Sequence, residues 1–176
     1  MRNYILAVAV LAVGFSGAGA ADPKPGGKVL ADDDLFGMLE NLGYEVMTKP
    51  KETDAVKRIT VKVTRADFPI DIPMTVNLSG DKTTLYFFVN LADLTPAELG
   101  NADGLLKLLE LNDTSGKNQF RINAKTKQLW LTRFADSAGL TPAALKKHVE
   151  LLAATVVETK DQWDVKKWAK AETAKK

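Results

Sequence analysis

Apolar residues recur along the chain in three rhythms. The first is a block, the unbroken apolar run of 11 residues from Ile5 to Phe15. The second has helical spacing, at Leu35, Phe36, Leu39 and Leu42, where steps of three and four place side chains on one stripe. Asp32, Asp33 and Asp34 precede that stripe and predict a helix start, with one aspartate as N-cap and the others in the positive field of the helix end. Gly43 suits the left-handed residue that closes such a helix.

The third rhythm is alternation, which predicts strands with one buried face and one wetter face. Tyr44 to Thr48 is a short candidate. Ile59, Val61 and Val63 alternate with Thr60, Lys62 and Thr64. After a turn at Asp67-Phe68-Pro69, residues Ile72, Met74, Val76 and Leu78 alternate with Pro73, Thr75 and Asn77. Pro73 cannot donate to a ladder, so this strand is expected at an edge or irregular at its start. A turn at Ser79-Gly80-Asp81-Lys82 leads into Thr84–Leu91. There Leu85, Phe87, Val89 and Leu91 share one face, and Tyr86, Phe88 and Asn90 share the other. The second face carries too much aromatic surface for plain solvent. Either a helix or loop covers it, or a partner meets it.

Thr95, Pro96 and Glu98 fit the N-cap, N1 and N3 positions of a helix. Leu99, Leu105, Leu106, Leu108, Leu109 and Leu111 make its later part apolar, and Gly100 to Gly104 kink or interrupt it. A hairpin follows. Phe120 and Ile122 alternate with Gln119, Arg121 and Asn123. The turn is Ala124 to Lys127, and the return is Gln128 to Phe134. Leu129 and Leu131 lie on one side of the return strand, with Trp130, Thr132 and Phe134 on the other, so that strand is central or covered. Thr141-Pro142 opens the last helix, whose stripe is Leu145, Val149, Leu152 and Val156, with continuation towards Trp163 and Trp168. The repeated Leu-Thr-Pro-Ala openings are two uses of one capping solution rather than a duplication, because the strands before them differ.

These elements define an α+β chain: an antiparallel β-sheet with an N-terminal, a middle and a C-terminal helix packed against it. The expected organisation is a leader at 1–20, a linker at 21–31, one domain at 32–160 and a lysine-rich tail at 161–176. Arg2, the apolar run and Ala18-Gly19-Ala20 have the form of a cleaved secretory signal, and the run is too short to span a bilayer. The expected location is therefore periplasmic or secreted. Loss of Arg2 lowers the net charge from +2 to +1, too little to imply a nucleic acid. The tail is expected to be solvated, or to touch a membrane surface weakly through Trp163 and Trp168.

The chemistry is sparse. There are no cysteines, which removes disulfides and thiolate chemistry. The single histidine, His148, cannot supply the usual imidazole set of a zinc site. Ser79, Ser115 and Ser137 lie in turns or before a helix, outside any nucleophile elbow. No phosphate-cradling glycine motif occurs. The three aspartates lack the glycine turn and distal glutamate of a calcium loop, and Asp67 with Asp71 fits a turn. No cofactor, no metal and no catalytic residue is expected.

The residues Leu35–Leu39–Leu42-Gly43-Tyr44, Leu105-Leu106-x-Leu108-Leu109-x-x-Asn112, Gly116-x-x-x-Phe120, Leu129–Leu131 and Leu140-Thr141 with Leu145–Leu152 occur in this order. In them the chain resembles the YbjN-like bacterial proteins, which share a fold with the type III secretion chaperones. The resemblance implies a binding or chaperone-like module without catalytic residues, often dimeric. Asn123 stands where that pattern usually has an acidic residue. The chain is also slightly basic and carries an export signal, whereas the chaperones are acidic and cytoplasmic. The expected function is an exported, non-enzymatic protein-binding module of the bacterial envelope, with Tyr86, Phe88, Arg121 and Trp130 as its binding residues. An envelope enzyme with a carboxylate site and a purely structural dimer stay open as alternatives.

Overall fold

The computed structural model describes residues 29–168. The expected leader, most of the linker and the last eight residues of the tail lie outside the described residues. One sheet holds β1 (Glu45–Thr48), β2 (Ile59–Val63), β3 (Ile72–Leu78), β4 (Thr84–Asp93), β5 (Asn118–Asn123) and β6 (Gln128–Asp136). The strand order is β1-β2-β3-β4-β6-β5, and every neighbouring pair is antiparallel. Around it lie α1 (Asp32–Asn41), α2 (Pro96–Leu99), α3 (Ala102–Thr114), α4 (Pro142–Glu158) and α5 (Lys160–Trp163). The class is α+β, as the alternation and helical stripes predict.

The first four strands form a meander. The chain then leaves the sheet through α2 and α3, starts β5 at the far edge, and inserts β6 between β5 and β4. That insertion gives β6 a neighbour on each side, which accounts for its apolar character on both faces. Register lines up the buried side chains in rows across the sheet: Ile59, Val76 and Phe87 in one, Val89, Leu131 and Phe120 in another. The α4 residues Leu145, Val149, Leu152 and Val156 join them, with Leu35 and Leu39 from α1 and Leu108 from α3. Fully burying one such side chain contributes roughly 1.5–3 kcal/mol, so the α4 stripe alone accounts for its docking.

Local chemistry sets the helix starts. The N-cap of α1 is Ala31, not an aspartate. Asp32, Asp33 and Asp34 instead fill the first turn, and the Asp34 carboxylate accepts the Ala31 N–H at 3.2 Å. The charge still favours the helix end, from one position further in. Thr95 and Glu98 make a reciprocal capping box, Glu98 N–H to Thr95 Oγ1 at 3.4 Å and Thr95 N–H to Glu98 Oε2 at 2.7 Å. The helix breaks after one turn because Asn101 Oδ1 accepts from the Gly104 N–H at 2.7 Å and caps a new one. The stripe of α3 is narrower than its leucines suggest, with Leu106 and Leu109 remaining exposed.

Pro73 sits inside the sheet order rather than on an edge strand. It pairs with Lys62 of β2, while the ladder to β4 begins only at Thr75. Pro73 therefore occupies the stretch of β3 that β2 alone borders, where a missing N–H leaves no acceptor stranded.

The C-terminal end differs from expectation. The last long helix stops at Glu158 and does not run on through both tryptophans. Trp163 Nε1 donates to Val156 O at 2.7 Å, and Trp168 Nε1 donates to Gln162 O at 2.8 Å. Val165 and Trp168 are buried in the core, so these residues are packed instead of solvated. Within the described residues the tryptophans are turned to the domain and are not free as surface anchors. Trp168 lies flat on Gly104, where an added Cβ would stand 2.5 Å from the indole Cδ2. Gly104→Ala should raise helix propensity by about 1 kcal/mol, yet the clash reverses the sign. Net destabilisation with a red shift of tryptophan emission is expected, and Trp168→Phe identifies the emitting residue. A stabilised Gly104→Ala protein would contradict this packing.

Candidate functional site

Alternation in five strands builds the sheet face opposite the helices. Register places Asn77, Tyr86 and Phe134 in one row, Thr60, Thr75, Phe88 and Thr132 in the next, and Asn90, Trp130 and Arg121 in a third. The four residues selected from sequence, Tyr86, Phe88, Arg121 and Trp130, thus come from β4, β5 and β6 and line one groove of about 390 Å³. No helix among the described residues covers them. Tyr86, Phe88, Trp130 and Phe134 are each half-buried, against one another and against the sheet.

The rings are tightly arranged. Phe88 stacks on Trp130 with centroids 5.1 Å apart and planes at 17°. Tyr86 meets Phe134 edge to face at 5.3 Å. The Arg121 guanidinium lies 4.9 Å from the Phe134 centroid, a cation–π contact that holds an exposed charge over the aromatic row. The Trp130 Nε1–H is shielded from solvent and meets no acceptor among the described residues. Thr60 and Thr75 share a hydrogen bond of 3.0 Å on the same face.

Eight further residues line the groove, Phe134, Arg58 and Val56 among them. Phe134 was legible, since it shares parity with Trp130. Arg58 was legible on the same ground, one step before β2 and in phase with Thr60 and Lys62. Val56 was not, because it belongs to the loop between β1 and β2, whose approach to the groove is tertiary.

A second polar cluster lies under α4, on the helix-covered face. Arg133 is buried, in the row of Phe87. Its Nε donates to His148 Nδ1 at 3.0 Å and its Nη1 donates to Asn118 Oδ1 at 2.8 Å. Asn118 Nδ2 donates in turn to Thr155 Oγ1 at 2.6 Å and Leu151 O at 3.4 Å. The bond from Arg133 requires a neutral His148 nitrogen. Burial, then the positive Arg133, Lys117 and Lys147, holds the imidazole below its ordinary value of 6.5. Burial likewise lowers the Arg133 guanidinium.

This predicts a pH effect. A folded-state value below the unfolded one means that the unfolded chain takes up the proton first. The contribution of His148 is complete above about pH 6.5 and is lost as the pH falls through the lowered folded value. The chain has one histidine, so the effect can be isolated: urea unfolding should show falling stability from pH 7.5 to 5, and His148→Gln should flatten it. An unchanged slope in that variant would contradict the assignment.

Among the described residues no group of three or more His, Cys, Asp or Glu side chains is placed to hold a metal ion, and no helix is long and apolar enough to cross a membrane. No known family model matches the chain, and no curated protein matches it. Among solved structures it is similar to an uncharacterized protein from Methanothermobacter thermautotrophicus. The TM-score is 0.51 at 12% identity, covering 78% of this chain and 97% of that one. At that identity the likeness concerns the fold alone.

Proposed function

We propose that the chain is an exported, non-enzymatic protein-binding or chaperone-like module of the bacterial envelope, of the YbjN-like kind, and that the open sheet face is its binding surface. One observation supports this reading above the others: the face opposite the helices is aromatic and arginine-bearing, yet no helix among the described residues covers it. Aromatic residues and arginine dominate interface energetics: the rings bury large areas at low entropic cost, and the guanidinium adds a planar, charged set of donors. The aromatic edge of Tyr86, Phe88 and Trp130 is held by ring contacts before any partner arrives, which limits the ordering cost of binding.

The test uses the full-length chain with a C-terminal tag, expressed with its own leader. Mass spectrometry of the recovered protein should begin at Ala21. Affinity recovery after cross-linking should yield a partner that disappears with Tyr86→Ala and Phe88→Ala combined and persists with Lys147→Ala on the helix side. Recovery of the same proteins by all three would count against the reading.

A further inference from the structure

The groove is one-sided in charge. Arg58 and Arg121 both line it, and no Asp or Glu does. Neither arginine is ion-paired among the described residues. Phe88 and Trp130 stack on each other from adjacent strands, and side chains of a sheet stand roughly perpendicular to it. Their rims, not their π faces, are therefore turned outward, and the rim of an aromatic ring is its positive part. Exposed guanidinium groups and outward ring edges both favour an electron-rich, carboxylate-bearing ligand. They disfavour a second copy of this face, which would set arginines against arginines.

The spacing narrows the ligand further. Arg58 precedes β2, and the Arg121 guanidinium reaches Phe134 of β6. Those strands lie three positions apart in the sheet, β2-β3-β4-β6, which is about 14 Å at roughly 4.8 Å per strand. An extended peptide covers that distance in about four residues and keeps the first, third and fifth side chains on one side. Resting on the binding role proposed above, we infer that the open face takes an extended acidic peptide segment of another protein, with carboxylates four residues apart and an apolar side chain between them. One carboxylate meets Arg58, the other meets Arg121, and the apolar side chain rests on Tyr86 and Phe88.

The probe is the peptide Ser-Glu-Ser-Leu-Ser-Glu-Ser, acetylated and amidated, titrated into the isotope-labelled full chain by NMR. The Trp130 indole N–H signal, assigned with Trp130→Phe, should move on titration. Affinity should exceed that of the Gln-for-Glu peptide by about tenfold at low salt and fall towards it as ionic strength rises. Arg58→Ala and Arg121→Ala should each erase most of that difference while leaving the fold intact, as their exposed positions allow. Equal binding of the glutamate, glutamine and lysine peptides would overturn the acidic ligand yet leave the face as a binding surface. If none of the peptides binds, the inferred ligand is overturned, while the cross-linking experiment still decides the broader role by itself. Concentration-dependent dimerisation through this face, abolished by Phe88→Ala, would replace the peptide with a second copy.

Discussion

Phe87→Ala should cost about 3–5 kcal/mol, whereas Phe88→Ala, one residue on, should cost about 1 kcal/mol. Phe87 is fully buried under α4, 5.6 Å from the His148 ring. Its removal leaves a cavity in a row fixed by Val76 on one side and Arg133 on the other, where neither neighbour can relax to fill it. Phe88 points to the open face, and its loss forfeits mainly the stack on Trp130. At roughly 2–4 °C per kcal/mol for a chain of this size, Phe87→Ala should melt about 10 °C lower and Phe88→Ala only a few degrees lower. Calorimetry of the two variants reads out the face assignment directly. Equal losses would mean that the aromatic face is a second core.

Asn118→Ala is the second large effect, at about 3 kcal/mol. Asn118 is buried at 4% exposure and links three elements through its two side-chain atoms. Removing its carbonyl strips one hydrogen bond from the buried Arg133 guanidinium, and bonds to charged groups contribute about 1.5–3 kcal/mol. Removing its amide takes a donor from Thr155 Oγ1 and from Leu151 O at the same time, leaving only the bond of 3.1 Å that Thr155 Oγ1 donates to Leu151 O. The loss should appear as a lowered urea midpoint with an unchanged m-value. Arg121→Ala, an exposed change on the open face, should stay within about 0.5 kcal/mol. A comparable loss from both would show that the buried network contributes nothing special.

Much of the architecture was legible because each signal was local. Alternation at Ile59–Val63 and Ile72–Leu78 set both strands and their buried faces, and Thr95-Pro96 and Thr141-Pro142 marked two helix starts. The binding-face candidates were also within reach, since parity alone groups Tyr86 with Phe88 and Trp130 with Phe134. Parity could not say whether a helix lay over that face. That depends on which side α1, α3 and α4 choose, and the choice follows from the summed burial of Leu35, Leu108, Leu145 and their neighbours. The Arg133–Asn118–His148 network was the clearest miss. Its one signal was a charged residue in phase with Leu129 and Leu131, and its partners come from another strand and a helix. The packing of Trp168 on Gly104 was likewise invisible, because the glycine reads as a helix breaker and the tryptophan as a tail residue until the two meet.

On the proposed function, the open face and not the helix side should meet a partner in the envelope. In-cell photocrosslinking tests it most directly, with p-benzoylphenylalanine at exposed Asn90, which pairs with Trp130 in β6, and at exposed Lys147 on α4 as the opposite-face control. Irradiation should give a discrete adduct of higher mass from position 90 and none from position 147. Adducts from position 147 alone, or the same adducts from both, would rule out the open face as the binding surface.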